Sequence, residues 1–180
     1  MQRRGFLFVG LAAWTLPWAA IAQDWTIGVM TPATDLEWTY LADTVMGGVS
    51  QGQATVSDGA VRLTGTVSTA NRGGFIQART SLPDGLPATA TALRLRVRGN
   101  GQQYFIHLRT TGTRLPWQYY QAGFTAGSDW AEVTLPLSAF VPSGRMMRAV
   151  PNPEDVRSIG LVAYGRDHQA DVSLAAIGTT

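Results

Sequence analysis

An all-β sandwich is the fold class this sequence predicts. Short apolar–polar alternations recur along most of the chain, and Asp-Gly and Asn-Gly pairs mark reversals between them. No stretch of ordinary helix length carries a 3.6-residue apolar period. Glycine is abundant at 20 residues and only 14% of residues are charged, a composition suited to many short strands joined by tight turns.

The first 22 residues have a different character. Met1 to Ala22 begins with Arg3 and Arg4, continues as an apolar run from Gly5, and ends in Ala20-Ile21-Ala22 ahead of Gln23. This is the pattern of a cleavable leader. Arg3-Arg4-Gly5-Phe6-Leu7 also resembles the twin-arginine export signal. Either route predicts delivery to a bacterial periplasm, with membrane contact only during export. Removing 22 of the 180 residues leaves 158, which form one predicted domain, 23–180, large enough for a sizeable core.

Processing also removes the excess positive charge. Without Arg3 and Arg4 the 14 basic residues become 12, against 12 acidic ones. A nucleic-acid partner is therefore not expected, since phosphate recognition relies on a clear basic excess. The chain has no cysteine, which rules out disulfides, thiolate metal sites and thiol catalysis.

In chain order, residues 24–38 read as a lead-in loop and 38–41 as a short strand. The segment Asp43-Thr-Val-Met-Gly-Gly-Val-Ser50 follows. Its Gly47-Gly48 pair permits positive φ or close backbone approach, a device repeated at Gly73-Gly74. Strands 53–56 and 60–67 flank Asp58-Gly59 as a hairpin, and 75–80 is the next strand. At 93–98 alternation puts Leu93, Leu95 and Val97 inward and three arginines outward. Asn100-Gly101 then predicts a second hairpin into 104–110. Further strands are expected at 117–124, 131–137, 158–164 and 172–177, about nine or ten in all.

Little in this inventory suits catalysis. His107 and His168 lie on separate elements, Ser50 has no neighbouring base, and no nucleophile elbow or phosphate loop is present. Asp167, His168 and Asp171 have ligand-type side chains at a spacing common in polar loops, so neither a metal nor a cofactor is expected. Binding is better supported. In Trp117-Gln118-Tyr119-Tyr120 side chains alternate, so either Trp117 and Tyr119 or Gln118 and Tyr120 face away from the core. Exposed aromatics beside Arg and Gln suit sugar- or peptide-binding faces, while a covering loop such as 141–153 would make the same rings structural.

Several of these segments together resemble a known family. Trp38 with Asp43-Thr-Val-Met-Gly-Gly-Val-Ser50, Gly73-Gly74-Phe75 with Arg79, and Arg109-Thr110 are similar to the complex I intermediate-associated protein 30 family. So are Tyr120-Gln121-Ala122 with Phe124, Trp130-Ala-Glu-Val-Thr-Leu-Pro136, Phe140-Val-Pro142 and Ile159-Gly160-Leu161. The resemblance implies a jelly-roll β-sandwich of the galactose-binding-domain-like kind and a non-catalytic role, the best-known members helping to assemble complex I. The family's Arg-Gly after Phe-x-Pro is replaced here by Gly144-Arg145-Met146-Met147, and the leader directs the chain away from the side on which those factors work. The complex I role is therefore not carried over.

The expectation is an exported, non-enzymatic module that binds a protein partner as an assembly or chaperone-like factor, or alternatively a carbohydrate-binding module of the envelope. Arg79 shares parity with Phe75 and Gln77, and Arg109 with Phe105 and His107. Arg79, Arg109, Tyr120 and Gln121 are the expected contacts to ligand or partner. Asp43, Gly47, Gly48, Ser50, Gly73 and Gly74 are the expected structural loops.

Overall fold

The computed structural model describes residues 30–180, so the expected leader over 1–22 and the start of the domain at 23 lie outside the described residues. The strands are β1 (Thr31–Pro32), β2 (Thr39–Ala42), β3 (Gln51–Ser57), β4 (Ala60–Val67), β5 (Phe75–Ser81) and β6 (Ala92–Gly99). They continue with β7 (Gln103–Thr110), β8 (Tyr120–Thr125), β9 (Ala131–Pro136), β10 (Val141–Pro142), β11 (Val156–Tyr164) and β12 (His168–Thr179). Among the described residues the only helical elements are short 3-10 turns.

Two antiparallel sheets result. Sheet A runs β3-β4-β12-β6-β9, with β1 added to β12, and sheet B runs β10-β8-β7-β11-β5-β2. Consecutive strands are often not neighbours, as a jelly-roll sandwich requires. The two-residue period of each strand sends one row inward. From sheet A these are Val61, Leu63, Leu93, Leu95, Val97, Val172 and Leu174; from sheet B, Ile76, Tyr104, Ile106, Leu108, Ile159 and Leu161, all essentially without exposure. Burying each such side chain contributes roughly 1.5–3 kcal/mol, so these rows supply most of the driving force. Tyr104 enters the core without stranding its hydroxyl, which donates to Asn100 Oδ1 at 2.6 Å and accepts from the Asp171 amide at 2.9 Å.

The Asp58-Gly59 hairpin joins β3 and β4, with φ of 52° and 75° at its two residues, as a two-residue primed turn demands. Asn100-Gly101 behaves differently from the expectation. It does not close a hairpin, because β6 belongs to sheet A and β7 to sheet B. The Gly99 and Gly101 amides donate instead to Gly127 and Ala126 carbonyls, at 2.6 and 2.8 Å, and the Asn100 amide to Asp171 O at 3.1 Å. The turn arches across the core so that two strongly apolar rows face each other rather than lying side by side. Two strands were also missed. β1 and β10 are two residues long and each contains a proline, which denies the ladder a donor and is tolerated at such short, marginal pairings. The strand expected from Trp117 begins only at Tyr120.

Candidate ligand-binding face

The two Gly-Gly loops meet on one carboxylate. Asp43 follows β2 in a 3-10 turn and is fully buried. Its Oδ1 accepts from the Ser50 amide at 3.0 Å. Its Oδ2 accepts from Ser50 Oγ at 2.5 Å and from the Gly74 and Phe75 amides at 2.5 and 3.2 Å. Ser50 Oγ in turn accepts from the Ser68 amide at 3.0 Å, so the cluster joins the ends of β2 and β4 to the starts of β3 and β5. Gly48 and Gly73 are needed for contact, since a methyl on either would overlap the Asp43 carboxylate. Gly47 ends the 3-10 turn in the left-handed region at φ 87°. Burial pushes the Asp43 carboxyl upward, but the donors from Ser50, Gly74 and Phe75 outweigh it and hold the group below the usual carboxylate range. This cluster is a clasp rather than a ligand site, because every carboxylate oxygen is committed inside the protein.

The outer face of sheet B differs in character. Register places Gln121, His107, Gly160, Arg79 and Thr39 in one row across β8, β7, β11, β5 and β2. The next row holds Gly123, Phe105, Val162, Gln77 and Leu41. On the other side Arg109 lies opposite Ser158, which lies opposite Ser81. Gly160 leaves a gap in the middle, and the Gln77 amide lies across it where a Cβ would stand.

Aromatic rings occupy one part of this face. His107 stacks on Tyr119 with centroids 4.0 Å apart and planes 8° from parallel. Tyr164 meets His107 and Phe105 edge-on, at 5.9 and 6.1 Å. His107 Nε2 pairs with Gln121 Oε1 at 2.8 Å, and burial lowers its pKa to about 4, so the ring is neutral at pH 7 and donates to the Gln121 carbonyl oxygen. Burial, and then the neighbouring Tyr164 phenol, pushes Tyr119 above its ordinary ionisation range. The Tyr119 phenol is therefore a neutral hydrogen-bonding group, not a base.

Arg79 and Arg109 share this outer face, flanking β11. Two strand spacings and one two-residue step put their Cα atoms roughly 12 Å apart. Arg109 donates through Nη1 to Pro116 O at 3.0 Å and through Nη2 to Leu115 O at 3.1 Å and Thr113 O at 3.4 Å. It thereby ties down the loop that carries Trp117, which is 64% exposed. Burial and then the Arg79 charge lower the proton affinity of Arg109. Arg79 makes no hydrogen bond or ion pair with another described residue.

Of the four expected contacts, Arg79, Arg109 and Gln121 come together on this face and Tyr120 does not. Tyr120 is only 3% exposed and points into the core with Ala122 and Phe124. Tyr119 takes the outward position assigned to it. His107, Phe105, Tyr164, Gln77 and Tyr119 were not singled out as contacts; the parity shared with Arg79 and Arg109 was the available signal for the first two and for Gln77. Asp167, His168 and Asp171 serve separate partners: Asp167 accepts from Thr69, His168 Nδ1 pairs with Arg166 O, and Asp171 holds Arg62. A separate concavity of about 540 Å³ is lined by Leu36, Leu82, Pro83 and Leu86, together with Asp84 and Glu154.

The family model for complex I intermediate-associated protein 30 matches residues 28–175. The chain belongs to that family. The match includes the Asp43 clasp and every strand of sheet B, so the clasp and the outer face both lie in the family domain. No curated protein matches the sequence.

Solved structures similar to this member of the family include carbohydrate-binding modules. The family 11 carbohydrate-binding module from Clostridium thermocellum, in complex with a β-1,3-1,4-mixed-linked tetrasaccharide, is 16% identical with a TM-score of 0.66, over 83% of this chain and 93% of that one. The family 11 module of the cellulosomal cellulase Lic26A-Cel5E of the same organism is 15% identical with a TM-score of 0.68, over 86% and 95%. The family 30 module of its cellulase Cel9D-Cel44B is 13% identical with a TM-score of 0.55, over 81% and 91%. At these identities the likeness is one of fold.

Proposed function

We propose that this family member is a non-catalytic module that binds an extended polysaccharide across the outer face of sheet B. One observation carries the reading. A single sheet face gathers Phe105, Tyr119 and Tyr164 beside the planar polar groups of Gln77, Arg79 and Gln121, with the Gln77 amide laid over Gly160 between them. Rings offer flat apolar surface to a sugar, and amides and guanidinium offer in-plane donors to its hydroxyls. The fold shared with modules solved as carbohydrate binders supports the same reading. Affinity electrophoresis of the protein through gels containing soluble polysaccharides tests it. Retardation by at least one polymer that is lost in Gln77→Ala and Tyr164→Ala is the expected result; mobility unchanged in every polymer would overturn it.

A second reading is favoured by exposed apolar side chains. Val45 and Met46 in the clasp loop, and Trp117, Val141 and Met146 near the β10 edge, stand in solvent, Met146 at 98% exposure. Flexible methionine beside tryptophan suits an adaptable protein contact, in keeping with the assembly role of the family's namesake. Cross-linking from Met146-proximal positions to one discrete envelope protein would support it.

Export is proposed on the leader pattern of residues 1–22. A secreted form beginning at Gln23 is expected on N-terminal sequencing. Arg3→Lys with Arg4→Lys blocks its appearance only if the twin-arginine route is used.

A further inference from the structure

Among the described residues, the positive charge on the outer face of sheet B has no acidic counterpart within the sheet. The outward residues of β2, β5, β7, β8 and β11 include Arg79 and Arg109 but neither Asp nor Glu. Sheet A treats its arginines differently: Arg62 reaches Asp171 at 2.7 Å and Arg94 reaches Glu132 at 2.8 Å, while Arg96 and Arg98 lie over the Trp130 ring. On sheet B the partners of Arg109 are three neutral carbonyls, which satisfy its donors and leave its charge. Arg79, opposite Gly160 in the register and half-buried, donates to no other described residue. Like charges held on one partly desolvated face repel, and an anion arriving between them removes that cost. Neutral sugars need amides and rings, which this face also has, but they give no reason for two uncompensated guanidiniums. A planar guanidinium matches a carboxylate or sulfate with two parallel hydrogen bonds.

Building on the glycan reading above, we infer that the ligand of this face is an acidic polysaccharide, whose carboxylate or sulfate group is taken by Arg79 with Arg109 supplying flanking charge. Gln77 and Gln121 remain for hydroxyls on the neighbouring sugars, and the rings of Phe105 and Tyr164 for their apolar faces.

The test compares polygalacturonate, alginate and dextran sulfate with carboxyl-reduced polygalacturonate and a neutral mixed-linked β-glucan, by titration calorimetry on the exported protein. At least one acidic polymer is expected to bind about tenfold or more tighter than the neutral ones, the scale of one charge-assisted bidentate pair. Arg79→Gln should erase that preference and Arg79→Lys restore it only in part, with no fall in the melting temperature in either. Arg96→Gln, on the opposite face, should leave binding as it was, which separates site binding from general charge attraction. Preference for the uronates over dextran sulfate assigns the carboxylate as the recognised group, and the reverse assigns the sulfate. Binding of the neutral glucan alone, insensitive to Arg79→Gln, overturns the acidic-ligand inference and leaves the glycan reading standing. Binding of poly-glutamate with no polysaccharide bound overturns both.

Discussion

Replacing Asp43 by Asn tests the clasp most directly, because it keeps the shape and removes the charge. All four groups pointing at this side chain are donors: the Ser50, Gly74 and Phe75 amides and the Ser50 hydroxyl. An amide has one acceptor oxygen and an NH₂ that can only donate. The least costly orientation keeps oxygen toward the three donors at Oδ2 and turns NH₂ toward the Ser50 amide. One buried N–H then loses its partner, which costs about 1–3 kcal/mol, and three charge-assisted bonds become neutral at up to about 1 kcal/mol each. A loss of at least about 1 and up to about 6 kcal/mol follows, a large share of the 5–15 kcal/mol typical of a domain. Urea denaturation followed by tryptophan fluorescence measures it, with the midpoint falling and the slope unchanged. Gly73→Ala sharpens the test, since its methyl would collide with Asp43 Oδ2. In an Asp43→Ala background the collision is removed, so the double variant should lose less than the two single losses combined. A loss below about 1 kcal/mol for Asp43→Asn, or strict additivity in the cycle, would refute the clasp as a main tie between the sheets.

Two further outcomes rest on the outer face of sheet B. His107 titrates at about 4 in the folded protein against 6.5 when free, so between these values the unfolded chain binds the extra proton and stability falls as pH is lowered. His107→Gln should remove up to about 3 kcal/mol of that dependence between pH 7 and pH 4, read from urea midpoints; an unchanged pH profile would contradict a buried neutral imidazole. Arg109→Ala should free the loop of residues 111–119, seen as faster tryptic cleavage after Arg114, at a stability cost of about 1–3 kcal/mol. Cleavage at the wild-type rate would mean that the three carbonyl contacts do not hold the loop.

How much of this was legible beforehand depends on the range of the signal. Local period-two patterns at 60–67, 75–80 and 93–98 correspond to β4, β5 and β6 within a residue or two, because each strand has one dry face that dictates its alternation. The partner across Asn100-Gly101 was not legible, because turn chemistry records a reversal of direction and not the sheet to which the next strand belongs. At Tyr119-Tyr120 an aromatic occupies both parities, so the run alone is neutral. Ala122 and Phe124 share the parity of Tyr120, whereas Gln121 and Thr125 share that of Tyr119, and that wider window assigns Tyr120 inward. Asp43 could be placed in a loop but not identified as the hub, since two of its donors lie 31 and 32 residues downstream.

The protein elsewhere settles its buried and paired charges internally. Asp43 has four donors, Asp171 has Arg62, Glu132 has Arg94, and Asp155 has Asn152 and Thr111. A charged group left unpaired on a partly buried face is a local conflict of the kind that real proteins keep at functional sites. Arg79 is such a place, and the conflict has a measurable sign. If its guanidinium serves a ligand and no internal contact, Arg79→Gln removes repulsion toward Arg109 and strands no partner. The melting temperature should then hold or rise by about 1–2 °C, the scale of a few tenths of a kcal/mol in a domain of this size. A stability gain joined to a loss of acidic-polymer binding is the trade-off of a site kept for its ligand at some cost to the fold. A fall of more than about 4 °C would instead show Arg79 holding the sheet together, and the face would need another anchor for its ligand.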